Sequence, residues 1–229
     1  MTIPAVPIQL MVETAEHSVD LYISGDITRG FQLFGLDFGQ ETDVSYNDVA
    51  QALADLPEEI DEITVHINSY GGEVAEGVAI YNALRAAKAK VTTVCEGFAC
   101  SIASVIFMAG TRRVMRPASI LMLHNASMGA HGDANALRKA AQDLETITEL
   151  SKTAYLEHAT DELTPDKLTQ IMDDETWVRP ETALEWGLAS EIDSPDEDGD
   201  EPTQSARAMV ARLLTSPQPV VESFGFSEG

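Results

Sequence analysis

The stretch ITVHINSYGGEVAEGVAIYNALRAA, residues 63–87, decides the fold class of this chain of 229 residues. Residues 63–67 are rich in β-branched side chains, which predicts a strand. That strand leads to Gly71-Gly72, a pair whose backbone freedom suits a tight turn between a strand and a helix. The spacing of apolar residues then predicts a helix over 74–87. A strand, a glycine turn and a helix in this order are typical of the units that build a parallel sheet.

The same alternation of strands and helices recurs along the chain. It predicts an α/β fold with a mostly parallel sheet. Further strands are predicted at 19–25, 91–95 and 120–123, and further helices at 45–56, 101–109, 133–158, from Pro165 onward and at 181–188. We expect a lead-in over residues 1–18, one domain over 19–192, and an acidic linker with a flexible tail over 193–229. Within the tail, residues 203–214 have the pattern of a short amphipathic helix.

Composition excludes several functional classes. The formal net charge of −24 argues against a nucleic-acid partner, because affinity for phosphates depends on Lys and Arg. Two cysteines, Cys95 and Cys100, imply no disulfide framework. The apolar stretch 97–110 is too short to span a membrane, and no basic residue precedes Arg29 as in a signal peptide. We therefore expect a cytoplasmic protein that binds neither a membrane nor a metal or other cofactor.

Ser101 is the candidate nucleophile. It lies within GFACSIA, residues 97–103, where small residues surround a serine at the start of an apolar helix. The free N–H groups and the dipole of a helix N-terminus favour an anion formed beside that serine. A serine at this position is also a common helix cap, so the motif alone supports both interpretations.

A serine hydroxyl needs a base, and His124 follows the strand predicted at 120–123. His131, in the next loop, is its main competitor. A third residue must orient the histidine, and the chain offers Asp173, Asp174 and Glu175 together. Backbone N–H groups at the glycine turn are candidates to hold an oxyanion.

Several motifs together resemble the ClpP family of serine peptidases, over roughly residues 19–192. They are INSYGGEV at 67–74, IYNAL at 80–84, GFACSIA at 97–103, His124 with the glycines that follow it, and ETALEWGL at 181–188. Family members usually have proline where this chain has Tyr70. The resemblance implies a ClpP/crotonase-like fold of repeated β-β-α units, with the helix at 133–158 protruding as a handle. It also implies a ring-forming homo-oligomer whose rings stack through that handle.

The resemblance also implies roles for individual residues. Ser101 is the nucleophile, His124 is the base, and the backbone N–H groups of Gly72 and Ile102 form the oxyanion hole. Asp173 is the preferred acid, with Asp174 and Glu175 left open.

The residues DETW, 174–177, resemble the ClpP-like head maturation proteases of phages and prophages. In addition, we do not recognise the N-terminal segment with which the housekeeping enzyme of the family engages an unfoldase. Both features predict an ATP-independent endopeptidase that trims scaffold or capsid proteins. The alternatives are a housekeeping-type proteolytic subunit working with an AAA+ unfoldase, a crotonase-like acyl-CoA enzyme, and a catalytically idle structural protein. A serine–lysine dyad is disfavoured, because Lys139 and Lys152 both lie on the long predicted helix.

Overall fold

A sheet of eight strands forms the centre of the chain. The computed structural model describes residues 12–14, 17–29, 32–33, 36–37 and 43–193. The chain divides into two units, residues 1–194 and 195–229, and the first of them carries every feature below. The predicted tail beyond Asp193, with its helix at 203–214, and most of the predicted lead-in lie outside the described residues.

The strands lie in an order that requires crossovers. Their bounds are β1 Val12–Thr14, β2 Ser18–Ile27, β3 Gln32–Leu33, β4 Leu36–Asp37, β5 Glu62–Gly72, β6 Lys90–Cys100, β7 Arg112–Met115, β8 Ile120–Leu123, β9 Thr176–Val178 and β10 Glu191–Ile192. The main sheet runs β1-β2-β5-β6-β7-β10, with β8 beside β6 and β9 beside β8, while β3 and β4 pair separately. Only the β1–β2 and β8–β9 pairs of this sheet are antiparallel. The predicted α/β fold with a mostly parallel sheet is confirmed.

Six helices occupy the connections between strands in the described part of the chain. They are α1 Tyr46–Ala54, α2 Val74–Ala86, α3 Ile102–Phe107, α4 Ala134–Leu156, α5 Pro165–Asp173 and α6 Pro180–Glu185. Side-chain caps set where three of them begin. Ser45 and Asp48 form a reciprocal capping box at α1, Asp133 accepts from two N–H groups of α4, and Thr164 caps α5. The helix predicted to start at Ser45 therefore begins at Tyr46, directly after its capping residue.

The two central strands run farther than the sequence pattern predicts. β5 continues to Gly72 and β6 to Cys100, well past the β-branched runs. Pairing with neighbours sustains them, since Gly72 lies opposite Ile27 of β2 and Ser69 lies opposite Ala99. The extra length carries the glycine turn and the candidate nucleophile to the same edge of the sheet.

The stretch predicted as a buried helix is buried from Ile102 to Ala109, while Ser101 at its start is partly exposed. All six residues of α3 are buried, and they pack into the core between the sheet and the other helices. This packing explains why so apolar a segment occurs inside the fold. Among the described residues, no helix is both long and apolar enough to cross a membrane.

The face of the sheet away from α3 carries a polar network centred on His66. Its ring stacks on Tyr22 at 4.5 Å between centroids, and its two nitrogens lie 2.6 Å from Glu96 and 3.3 Å from Asp20. Arg116 donates two hydrogen bonds to Glu96. Burial opposes ionisation of Glu96, yet the hydrogen bonds from His66 and Arg116 lower its pKa to about 2. The network ties three strands together, so the structure gives His66 a scaffold position.

Arg113 closes the C-terminal part of the domain onto the sheet. Its guanidinium is buried and donates to the backbone oxygens of Leu188 (2.9 Å), Gly110 (3.0 Å) and Gly187 (3.2 Å). Burial lowers the pKa of this side chain, but arginine stays charged in proteins. The three carbonyls satisfy that charge, and they join the loop after α6 to β7.

Replacing Arg113 by methionine should destabilise the fold. Arg113→Met leaves three buried carbonyls without a donor, and we expect a loss of about 3 kcal/mol in the free energy of unfolding. The matched control is Arg112→Met, because Arg112 is exposed and pairs with Glu191, and it should cost at most about 1 kcal/mol. Urea unfolding measures both values. Equal losses for the two variants would contradict the role given to Arg113.

Candidate active site

Ser101 occupies a strained turn between β6 and α3. Its φ is 54° and its ψ is −129°, a backbone conformation that residues other than glycine rarely adopt. Its N–H donates to Met122 O at 2.9 Å, and its carbonyl accepts from Ser104 N at 3.0 Å. Ser101 makes no side-chain cap to α3. Of the two interpretations that the motif allowed, the helix cap is therefore not observed.

The hydroxyl of Ser101 instead contacts His124. The distance from Ser101 Oγ to His124 Nε2 is 2.7 Å. His124 directly follows β8, which pairs with β6 in parallel, so both side chains reach the same edge of the sheet. In the tautomer that carries its proton on Nδ1, Nε2 accepts the serine hydroxyl proton. This geometry allows the histidine to act as a base on the serine.

The glycine turn packs directly against the candidate nucleophile. A Cβ on Gly71, whose φ is 103°, would lie 2.7 Å from Ser101 Cβ and 2.8 Å from Cys100 O. The Gly71 N–H donates to Ser69 Oγ at 3.0 Å, and that hydroxyl donates to Gly25 O at 2.5 Å. Because Gly71 has no side chain, the turn can pack closely against Ser101. The Gly71 N–H is already used in the hydrogen bond to Ser69.

Two other N–H groups near Ser101 are placed differently. A Cβ on Gly72 would clash with the Ile27 carbonyl at 2.1 Å, so its backbone lies tightly against β2. Glu73 N–H donates to Ile27 O at 2.7 Å, and because consecutive strand residues direct their N–H groups to opposite edges, Gly72 N–H faces away from β2. Ile102 is the first residue of α3, where an N–H has no acceptor inside the helix.

The three carboxylates differ in their position relative to His124. Asp173 Oδ1 accepts from Asn125 Nδ2 at 2.7 Å, and Asp174 accepts from Gln170 at 2.8 Å. Leu123 pairs with Thr176 at the end of the antiparallel β8–β9 ladder, and Glu175, the residue before β9, lies in a turn with a φ of 49°. Within residues 43–193, none of the three carboxylates makes a hydrogen bond or a close ion pair with the His124 ring.

The competing bases do not contact Ser101. His131 is exposed in the loop before α4. Lys139 pairs with Asp143, and Lys152 pairs with Glu149 at 2.9 Å, all of them on α4. In the part of the chain that the structure describes, no cluster of three or more His, Cys, Asp or Glu side chains could hold a metal ion.

Sequence reasoning missed an aromatic cluster beside the glycine turn. Tyr70 stacks on Phe98 at 5.0 Å, and Phe98 meets Trp177 edge-on at 6.3 Å. All three side chains are substantially exposed, Tyr70 by 66%. A cavity of about 580 Å³ adjoins the cluster and is bordered by Tyr70, Gly71 and Gly72. The signal was the alternation of aromatic with small residues just before Gly71 and Ser101, on strands predicted to end earlier.

The family model described as Clp protease matches residues 19–196. That range covers every residue of the candidate site.

Three relatives have the same name, "ATP-dependent Clp protease proteolytic subunit". The relative from Deinococcus radiodurans is 35% identical over 157 residues, covering 66% of this chain and 75% of its own length. The one from Chlorella vulgaris is 30% identical over 198 residues, covering 83% and 94%. The one from Bacteroides fragilis is 31% identical over 133 residues, covering 57% and 63%.

Adding a methyl group at Gly71 should disable the site without unfolding the protein. Gly71→Ala pushes a Cβ into Ser101 and into the Cys100 carbonyl, and a displacement of about 1 Å can cost about 100-fold in rate. We expect labelling of Ser101 by a fluorophosphonate to slow by about that factor. The control is Gly129→Ala, whose Cβ meets nothing within 4 Å. Equal labelling rates for Gly71→Ala and wild type would refute this account of the turn.

Proposed function

Because the chain belongs to the Clp protease family and is a serine-type peptidase of the ClpP type, we propose that Ser101 and His124 perform its chemistry. The observation that carries this proposal is the 2.7 Å contact between Ser101 Oγ and His124 Nε2 at the edge of a parallel sheet. Ligands bind at this edge in open α/β sheets. The proposed activity is hydrolysis of internal peptide bonds.

The proposed reaction has two halves that use the same groups. Ser101 Oγ attacks the carbonyl carbon of the substrate while His124 Nε2 takes the hydroxyl proton. The N–H groups of Gly72 and Ile102 hold the negative oxygen of the tetrahedral intermediate. His124 then gives its proton to the leaving amine, and an acyl-enzyme remains. Water, deprotonated by His124, attacks the acyl carbon and releases the acid product and Ser101.

Three carboxylates are candidates for the residue that orients His124. Asp173 is the prediction from the sequence, and its carboxylate lies against Asn125, the residue after His124. Glu175 directly precedes Thr176, which pairs with Leu123 at the end of β8, and this closeness to the residue before His124 supports it as a candidate. Asp174 is engaged at the end of α5 by Gln170 and is the weakest of the three.

Amide substitutions distinguish these carboxylates. Asp173→Asn, Asp174→Asn and Glu175→Gln each remove one negative charge and keep the shape of the side chain. The variant that lacks the orienting acid should lose about 10⁴-fold in kcat, because its histidine adopts the wrong tautomer. The other two should stay within about threefold of wild type. Steady-state hydrolysis of a fluorogenic peptide measures this, and uniform small losses would show that none of the three is the acid.

For the biological role, we propose a proteolytic subunit that depends on a separate ATPase for large substrates. The three relatives support this role, since each is named as the proteolytic subunit of an ATP-dependent protease. This was the alternative in the sequence-based prediction. The predicted head maturation role, with scaffold or capsid proteins as substrates, gains no support from these relatives. It rests on the sequence resemblance given above, including the segment 174–177, and is the second candidate.

The proposed assembly is a ring of identical chains. Parallel sheets are almost always covered on both faces, and here the aromatic side chains of Tyr70 and Phe98 are exposed at the end of the two central strands. The helix α4 buries only Thr148, Ala154 and Tyr155. It exposes Leu137 by 46% and Leu150 by 52%, as expected of a helix with a further partner. The cytoplasmic location stays a prediction.

The crotonase-like and structural alternatives are disfavoured. An acyl-CoA enzyme needs N–H donors at this edge of the sheet, but it does not need a serine that is hydrogen-bonded to a histidine. An idle protein has no use for a serine held at a positive φ with a base at 2.7 Å. The family match favours the peptidase over both.

One set of experiments tests the activity. Wild-type protein should be labelled once by a fluorophosphonate and should cleave a short fluorogenic peptide without nucleotide. Ser101→Ala should lose both properties, with at least about a 10⁴-fold fall in kcat. The control is Ser151→Ala on α4, which should behave like wild type. Labelling that survives Ser101→Ala would overturn the proposal.

The same samples distinguish the two biological roles. We expect wild-type protein to degrade casein only slowly alone and rapidly when a Clp-type ATPase and ATP are added. Specific trimming of a folded capsid or scaffold precursor without any ATPase, detected by intact mass, would instead establish the head maturation role.

A further inference from the structure

Two buried hydroxyl groups lie beneath the candidate nucleophile. Ser104 Oγ is 2.6 Å from Ser101 O and 2.8 Å from Tyr155 Oη. Ser104 is fully buried on α3, and Tyr155 is only 2% exposed on α4. Neither residue carries any role in the chemistry described so far. Their position makes them the link between the long helix and the Ser101 turn.

The donors in this chain of hydrogen bonds follow from what each group can do. A carbonyl oxygen only accepts, so the Ser104 hydroxyl donates to Ser101 O. Its proton is then used, and Tyr155 donates its own proton to Ser104 Oγ. Met122 O lies 3.4 Å from Ser104 Oγ and is a second, poorer acceptor. The tyrosine hydroxyl thus restricts the directions that the Ser104 hydroxyl can take.

Holding the Ser101 carbonyl also directs the next N–H group. The carbonyl of Ser101 and the N–H of Ile102 belong to one planar peptide, and in a trans peptide they point in opposite directions. Ser101 O accepts from both the N–H (3.0 Å) and the hydroxyl of Ser104. Two donors on one oxygen fix the plane of that peptide. The direction of Ile102 N–H is therefore set by Ser104.

We infer that Tyr155 and Ser104 are positioning residues that aim Ile102 N–H at the oxyanion of the tetrahedral intermediate. The inference rests on the proposed function, in which Ser101 attacks a peptide carbonyl. Both hydroxyl groups lie in the dry core, where hydrogen bonds are stronger and more directional than in water. Burial also raises the pKa of Tyr155, so its hydroxyl keeps the proton that it donates.

This arrangement also assigns a purpose to the inner end of α4. Most of this 23-residue helix is exposed, and Tyr155 is its only large buried side chain. A shift of α4 would move the tyrosine hydroxyl and loosen the Ser101 carbonyl. The position of the helix is thereby coupled to the oxyanion hole.

The test removes single hydroxyl groups. Ser104→Ala and Tyr155→Phe each delete one oxygen and keep the buried carbon atoms. Removing an oxyanion donor outright costs about 100- to 1,000-fold, so a misdirected donor should cost less. For hydrolysis of a fluorogenic peptide we expect kcat to fall about 30-fold in Ser104→Ala and about tenfold in Tyr155→Phe. KM should stay within about twofold, because ground-state binding does not use this N–H.

The matched control is another buried hydroxyl that supports α3 from its other end. Thr93 Oγ1 donates to Phe107 O at 2.7 Å and makes no contact with Ser101. Thr93→Val should lower the melting temperature as much as the two test variants do, while kcat stays within about twofold of wild type. If kcat of Thr93→Val fell as much as that of Ser104→Ala, the effect would be structural and the inference would be overturned.

A transition-state analogue provides a readout that mere loss of stability would not change. A peptide boronic acid forms a tetrahedral adduct on Ser101, with an oxygen in the oxyanion hole. Its affinity should fall in both variants by the same factor as kcat/KM, while Thr93→Val binds it normally. Unchanged boronate affinity in Ser104→Ala would refute the positioning role. If wild type neither cleaves the peptide nor reacts with a fluorophosphonate, the proposed function itself fails; if it does both and Ser104→Ala matches it, only this inference fails.

Discussion

The backbone of Ser101 is held at a positive φ by hydrogen bonds from two neighbouring elements, and the geometry of the site follows from that constraint. Such a turn costs about 1–3 kcal/mol and persists only where its surroundings enforce it. Met122 supplies an acceptor on β8, and Ser104 supplies donors from α3. The turn directs the hydroxyl away from the helix that it begins. The Ser101 hydroxyl is therefore available to hydrogen-bond with His124. The N–H of Ile102, the first residue of α3, has no acceptor within the helix.

The parallel ladder explains why separate parts of the chain meet at this turn. β5, β6 and β8 all end at the same edge, and each delivers one component there: Gly72, Ser101 and His124. The glycines are necessary because the end of β5 lies against Ser101 on one side and against Ile27 on the other. A side chain at either position would separate the strands that bring the components together.

Much of the fold was predictable because its signals are local. The β-branched run at 63–67, the cap at Ser45 and the apolar segment after Ser101 each define an element from a few neighbouring residues. The short strands β7, β9 and β10 lack such a run of apolar or β-branched residues bounded by turn signals, and they form strands through pairing with their neighbours. The same holds for the continuation of β5 and β6 beyond their β-branched runs, which depends on pairing in the sheet.

By itself, the sequence pointed to a serine-type peptidase, because residue types and their order already mark Ser101, His124 and the glycine turn as the candidate site. Only the tertiary structure decided that the Ser101 hydroxyl contacts His124 and leaves the helix uncapped, since both options satisfy the same local motif. It also decided that the Asp173 carboxylate contacts Asn125 and the Asp174 carboxylate contacts Gln170, rather than the His124 ring. Spacing along a chain does not specify which side chains meet in the fold, because those contacts depend on how separate strands and helices pack.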